Sequence, residues 1–238
     1  IIGCIDLNNN NEIRSNTLAQ LKRFKKNISG KLEVILKKNP YLAPESLSAY
    51  TLMNDIMIQS VSKIVTEYIF PLVSPTKGEY ISVVALGGYA RAEMAPYSDI
   101  DLLFLTPYKQ TAWSENVIET ILYLLWDLGL KVGHSVRNID ECLRIAKTDI
   151  TARTSLLENR FLFGSIELAN ELNKKLWKDI FEKSAPEFIE KKLEERNLRH
   201  KKQGSERYLL EPNIKEGKGG LRDLQTLYWI SKYVYKIS

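Results

Sequence analysis

Asp99 and Asp101 are the residues of this chain whose type and spacing bear most directly on chemistry. They lie in VVALGGYARAEMAPYSDIDLLFL, residues 83–105, where an apolar run ends in a glycine pair and a second apolar run carries two acids. Side chains alternate faces along a strand, so Asp99 and Asp101 point one way while Ile100 and Leu102 point into the opposite layer. Two residues of strand rise place their Cα atoms about 7 Å apart. Like charges held on one face of a short apolar strand repel, and a cation is what balances them. Mg²⁺ takes oxygen ligands and is usually held by one or two carboxylates plus substrate phosphates, so the pair suits a metal–triphosphate complex. Such a metal neutralises charge on a leaving pyrophosphate and aligns an attacking hydroxyl for in-line displacement. The plainer reading of the same acids is a solvent-facing edge strand.

Four neighbours fit the same chemistry. Gly87 and Gly88 lack a Cβ and let backbone N–H groups approach a phosphate. Arg91 is placed to pair with phosphate oxygens in bidentate fashion, and Ser98 offers a hydroxyl to phosphate or to metal-bound water. Pro96 and Tyr97 shape the turn between them. Taken alone, a Gly-Gly pair fits a hairpin or a strand-to-helix turn; its combination with the acids is what is specific. His134 reads as a hydrogen-bonded strand residue rather than a base. His200 stands with Arg196, Arg199, Lys201 and Lys202 on what reads as a solvated helix face. The segment from Lys215 to Gly220 is not a P-loop, because no Gly-Lys-Ser/Thr ending follows at the required spacing.

The elements that must position these residues can be read from periodicity. Leu18, Leu21, Phe24, Ile28, Leu32, Val34 and Leu36 recur at roughly helical intervals, giving one or two amphipathic helices between Ser15 and Asn39. A further helix is expected from about Pro44 or Ser46 to Ile69, closed by Pro71. Tyr80–Leu86 and Ile100–Leu105 read as buried strands. Ser114 is the expected N-cap of a helix that ends at Gly129, and Lys131–Arg137 is a short strand. Asn138 and Glu141 have capping-box spacing and open another helix. Asp149–Lys178 reads as helical with a break near Gly164, and no strand is expected from there onward. Pro186–Tyr208 is a charged helix, Glu211–Gly220 a loop, and Leu221–Tyr235 an apolar closing helix. The fold class is α/β (α+β), a small mixed sheet flanked by helices and followed by a helical bundle. The expected division is a helical preface plus the acid-bearing domain over 1–139 and a helical domain over 140–238.

The composition of the 238 residues, 44% hydrophobic and 26% charged, excludes disordered and fibrous classes. A net charge of +5 is too small an excess at this length to argue for nucleic acid, and the basic stretch from Glu190 to Arg207 lacks interleaved aromatics for base stacking. Cys4 and Cys142 are too few for a disulfide framework or a thiolate metal site, which suits a cytoplasmic protein. Neither Ile118–Leu125 nor the opening Ile1–Cys4 approaches the length of a membrane span.

The glycine pair, about ten residues, and then Asp-Ile-Asp resemble the signature of the polymerase-β-like nucleotidyltransferase superfamily. Within it, GGYARAEMAPYSDIDLLFL resembles the amino-terminal part of the bacterial P-II uridylyltransferase/uridylyl-removing family. Leu125–Leu130, Val132–Arg137, Leu156–Arg160 with Gly164, and Pro212–Gly217 followed by Gly219–Gln225 are similar to later parts of that family, so the resemblance runs from about Tyr50 to the end. It implies Mg²⁺-dependent transfer of UMP from UTP to a tyrosine of the nitrogen regulatory protein P-II. Metal ligation and catalysis would fall to Asp99 and Asp101, and nucleotide binding to Gly87, Gly88, Arg91 and Ser98. No His-Asp pair for uridylyl removal is present, and neither membrane nor nucleic acid is implied as a partner. Adenylyl transfer to glutamine synthetase or another protein, and nucleotide binding without turnover, are the alternatives. The chain departs from the family pattern at Ala90 and Ala92, where glycine is usual, at Met94, where leucine is usual, and at Lys218, where proline is common. Many superfamily members use a third carboxylate on a later strand, whereas Lys131–Arg137 has none and offers His134 or Ser135 in that region.

Overall fold

The computed structural model describes residues 10–202 and 213–236. Cys4 and the expected continuation of the basic helix through Tyr208 lie outside the described residues. The chain divides into two compact units, one drawn from residues 1–142 and 158–172, the other from 143–157 and 173–238.

The first unit is built on four strands: β1 (Ser82–Leu86), β2 (Ile100–Thr106), β3 (Val132–Asn138) and β4 (Asn159–Gly164). Their order in the sheet is β3-β2-β1-β4. β1 runs antiparallel to both β2 and β4, and β2 runs parallel to β3, which makes the sheet mixed as expected. Helices α1 (Asn10–Lys38), α2 (Ala43–Ile64, continuing as a π-helical turn through Ile69) and α4 (Ala112–Asp127) supply the side chains that bury one sheet face. Ile13, Leu21, Met57, Val61, Ile118 and Leu125 meet Val83, Ala85, Ile100, Leu102 and Phe104 in one core. The alternate residues of the central strands, Val84, Leu103 and Leu105, are also buried. A pair of strands that is apolar on both faces is an interior pair, so the edge-strand reading of the acids does not hold.

Two expectations about elements need correction. Ser114 is not the N-cap of α4. Thr111, in extended conformation, accepts the Ser114 N–H, while the Ser114 hydroxyl accepts the Thr111 N–H, so Ser114 is the third helical residue of a capping box. Residues 159–164 are not a break in a helical run; they form β4, which pairs along the whole of β1 through a bulge at Val83/Val84. Asn138 and Glu141 do exchange backbone N–H bonds at the start of α5 (Ile139–Thr148).

The second unit is helical. α6 (Ile150–Leu157), α8 (Ala185–Lys202) and α9 (Leu221–Tyr235) surround an aromatic core in which Phe188 stacks on Tyr233 at 4.0 Å and Phe181 meets the same ring edge-on at 5.1 Å. α7 (Ile166–Asp179) begins in the first unit and ends in the second. Asp223, in the first turn of α9, accepts the Gly219 N–H and is held by Arg199 and His200, which keeps its carboxyl below the usual range. Among the described residues, no helix is long and apolar enough to cross a membrane.

Candidate active site

β1 delivers the chain to Leu86, where it turns directly into the single turn α3 (Gly87–Ala90). Gly87 has φ +53, a conformation that suits a residue without Cβ, and its N–H donates to the Glu158 carbonyl at 2.9 Å. That N–H is therefore engaged within the protein, and Gly87 serves the turn through its conformation. Gly88 is exposed beside Arg91, whose Nη2 lies 3.5 Å from where a Gly88 Cβ would stand. Ala90 is helical, whereas Ala92 sits at φ 62, in the left-handed region that glycine occupies more cheaply.

β2 carries the acids. Asp99 immediately precedes it and Asp101 is its second residue; both are exposed while Ile100 and Leu102 are buried in the core, as the alternation requires. The two oxygens of Asp101 face the turn after β1 on one side and β3 on the other: Oδ2 is 4.0 Å from the Cβ position of Gly87, Oδ1 only 2.7 Å from that of Gly133. Any side chain at residue 133 would displace the carboxylate. Partial burial, reinforced by the charge of Asp99, holds the Asp101 carboxyl above its ordinary range. Among the described residues, neither acid forms an ion pair, and no cluster of three or more His, Cys, Asp or Glu could hold a metal. A cavity of about 410 Å³ opens onto the acids, lined by Asp99, Asp101, Trp126, Lys131, Val132 and Gly133.

Asp99, Asp101 and Gly87 come together, and Ser98 lines a second cavity of about 240 Å³ with Lys25, Tyr50, Asn54 and Met94, which shares Lys131 with the cavity at the acids. His134 is exposed on β3 and packs edge-on against Trp126, with ring centroids 6.0 Å apart. Cys142 is buried and its thiol is pushed up to about 12, which leaves it inert as a nucleophile at neutral pH.

Sequence reasoning missed what holds the glycine turn. Arg91 Nη1 pairs at 2.6 Å with Glu158, whose side chain is 2% exposed. Arg160, on β4, makes two hydrogen bonds to Asp55 of α2 and donates also to the carbonyls of Ala90 and Tyr89. The Tyr89 hydroxyl donates to Asp55 at 2.6 Å, and burial together with that carboxylate drives its pKa far up. Helix α2 and the segment that enters β4 thus clamp residues 87–91. The signal in Leu156–Arg160 is two charged residues flanking Asn159 at the head of an apolar, aromatic run.

Comparison with known proteins agrees with this geometry. Residues 75–157 match the family described as "Nucleotidyltransferase domain", and residues 187–238 match "GlnD PII-uridylyltransferase". Proteins named bifunctional uridylyltransferase/uridylyl-removing enzyme are similar to most of the chain. That of Ruegeria pomeroyi is 54% identical over 84% of this chain, that of Cereibacter sphaeroides 54% over 87%, and that of Azospirillum brasilense 49% over 90%. The match takes up 22% of the length of each of these relatives.

Proposed function

We propose that this chain, which belongs to the bifunctional uridylyltransferase/uridylyl-removing family, is a nucleotidyl-transferring part that moves UMP from UTP to a tyrosine of the nitrogen regulatory protein P-II. The carrying observation is a pair of neighbouring carboxylates that form no ion pair among the described residues, set beside a glycine turn. Asp99 and Asp101 fit a hard divalent cation, for which Mg²⁺ is the natural candidate: two carboxylates supply part of an oxygen shell and leave positions for phosphates and water. When bound, the cation would offset the charge that develops on pyrophosphate.

The remaining work falls to the chain. Gly88 gives the triphosphate close access to backbone, and Arg91, anchored through Nη1 by Glu158, directs its other N–H groups over that glycine. Fixing Arg91 before substrate arrives lowers the entropy lost on binding. Gly87 sets the turn, and Ser98, on the neighbouring opening, contributes to the shape of the approach rather than to the acids. Such an enzyme works in the cytoplasm, consistent with a buried, unreactive Cys142.

The test is transfer of label from α-labelled UTP, and separately ATP, to purified P-II with Mg²⁺. UTP-selective labelling of P-II is expected. ATP-selective labelling would replace uridylyl by adenylyl transfer, and glutamine synthetase would then be the acceptor to try. A nucleotide-binding module without turnover is the second reading, favoured by Ala92 in a left-handed conformation and by the lack of a third acid among the described residues. Mg²⁺–UTP binding without labelling of any acceptor would select it.

A further inference from the structure

Asp101 divides its surroundings in two. Its Oδ2 faces the glycine turn at the end of β1, and its Oδ1 faces Gly133 on β3, on the opposite side of β2. In-line displacement puts the attacking and leaving oxygens on opposite sides of the reacting phosphorus. With the triphosphate tail at the glycine turn, as proposed above, the attacking hydroxyl must arrive from the β3 side. The cavity of about 410 Å³ lies there, and its size falls in the range of roughly 300–1,000 Å³ that small-molecule sites occupy.

The wall of that cavity has its own chemistry. Trp126, at the end of α4, is 43% exposed although it lies between the buried residues Leu125 and Leu128. Its ring is framed edge-on by Tyr123 at 5.7 Å and by His134 at 6.0 Å. Contacts to two neighbouring rings restrict Trp126, and its exposed part shares the cavity with the two carboxylates and Lys131. An exposed indole held this way is suited to stack against another ring, and no aliphatic hydroxyl would need it.

We propose that Trp126, with Tyr123 and His134 behind it and Lys131 at the rim, forms the acceptor subsite, which takes a phenolic side chain carried on a protein. This rests on the nucleotidyl-transfer reading and adds to it where the acceptor enters and why the acceptor is aromatic. The phenolic oxygen forms a bond to the α-phosphorus as the bond from that phosphorus to the bridging oxygen of pyrophosphate breaks. Pyrophosphate leaves on the glycine side, and the phenolic proton passes to water at the mouth of the cavity. Trp126 touches the ring of the acceptor and none of the reacting atoms.

The test separates the two substrates. With this chain, the affinity for Mg²⁺ plus a non-hydrolysable UTP analogue is measured by titration calorimetry, and then the affinity for P-II in the presence of that complex. W126A should weaken P-II binding at least about tenfold and change nucleotide affinity by less than about twofold, while W126F, which keeps a ring, should recover most of the loss. Where turnover is measured, the KM for P-II rises in W126A and the KM for UTP does not. A fall in nucleotide affinity instead would make Trp126 a shelf for the base and overturn the proposal. Equal P-II affinity in wild type and W126A would overturn it as well. P-II binding lost alike in W126A and W126F, with lowered thermal stability in both, would reduce Trp126 to a structural role. A wild-type chain that fails to bind Mg²⁺–UTP would remove the nucleotidyl-transfer reading itself and the acceptor subsite with it.

Discussion

Two groups of acids lie within one unit of this protein, and they are treated in opposite ways. Asp55 and Glu158 are paired: each is met by an arginine, Asp55 takes the Tyr89 hydroxyl besides, Glu158 keeps its second oxygen buried without a hydrogen bond among the described residues, and both hold the turn that follows β1. Asp99 and Asp101 stand at the start of β2 with no counterion among the described residues and with one carboxyl pushed above its ordinary range. Holding two like charges side by side without compensation is costly, and a fold that supplies arginines to two acids and none to two others has left the second pair for something that arrives from outside. Compensated acids here mark architecture; uncompensated ones mark chemistry.

The contrast can be broken or sharpened by substitution. The largest effect is expected at the bare pair: Asp101→Asn should lower nucleotidyl transfer by at least about a thousandfold while leaving metal-free stability equal or higher, since it removes a repulsion. Labelling rates and urea midpoints in the same buffer with EDTA would check both halves. At the arginine-paired acids the signs change. Arg91→Ala strands Glu158 and should destabilise the chain by about 3 kcal/mol, and adding Glu158→Gln should restore most of that loss. If the double variant is no more stable than the single, the pair is not what fixes the turn.

Gly133→Ala tests the boundary between the two groups. Its Cβ would fall 2.7 Å from Asp101 Oδ1, so the carboxylate must move. Transfer should drop about tenfold to a hundredfold with little change in melting temperature. Ala92→Gly relieves a left-handed residue at the cost of some unfolded-state entropy and should raise stability by about 0.5 to 1 kcal/mol, read as a shift of about 2 °C. The smallest effect is one of pH. Because the folded chain holds the Asp101 proton more tightly than the unfolded chain does, this group opposes folding above its folded pKa, and the opposition is relieved as pH falls through that value. The gap in urea midpoint between wild type and Asp101→Asn, without metal, should therefore narrow towards acid, by less than about 1 kcal/mol for so exposed a group.

The acid-bearing strand was legible in the sequence because its information is local: alternation over Asp99–Leu102 sets the faces, and the apolar flanks require an interior position. The ends of α2 and α9 and the capping box at Asn138 were legible for the same reason. β4 was not. Arg160-Phe161-Leu162-Phe163 follows a helix with only Glu158 and Asn159 between them, and its pairing with β1, far back in the chain, makes it a strand. The clamp was hidden for a related reason. Arg91 and Glu158 are 67 residues apart and Asp55 and Arg160 are 105 apart, and nothing in one dimension says which charges meet. Ser98 shows the limit of adjacency: it precedes Asp99 directly, yet after the turn at Tyr97, with φ 66, it lines a second opening that shares Lys131 with the acids' cavity.

The central claim is that the bare pair awaits a cation, and the most direct measurement is the thermal stability of wild type and of Asp99→Asn plus Asp101→Asn across a Mg²⁺ titration with a non-hydrolysable UTP analogue. Ligand that binds only the folded chain stabilises it in proportion to RT ln(1 + [L]/Kd), about 2.7 kcal/mol at a hundredfold excess over Kd. The expected result is a double variant at least as stable as wild type without metal and unresponsive to it, against a wild type whose melting temperature climbs by several degrees, roughly 2 to 4 °C per kcal/mol. Equal stabilisation of both proteins by metal and nucleotide would contradict the account, because the cation would then be held by something other than Asp99 and Asp101.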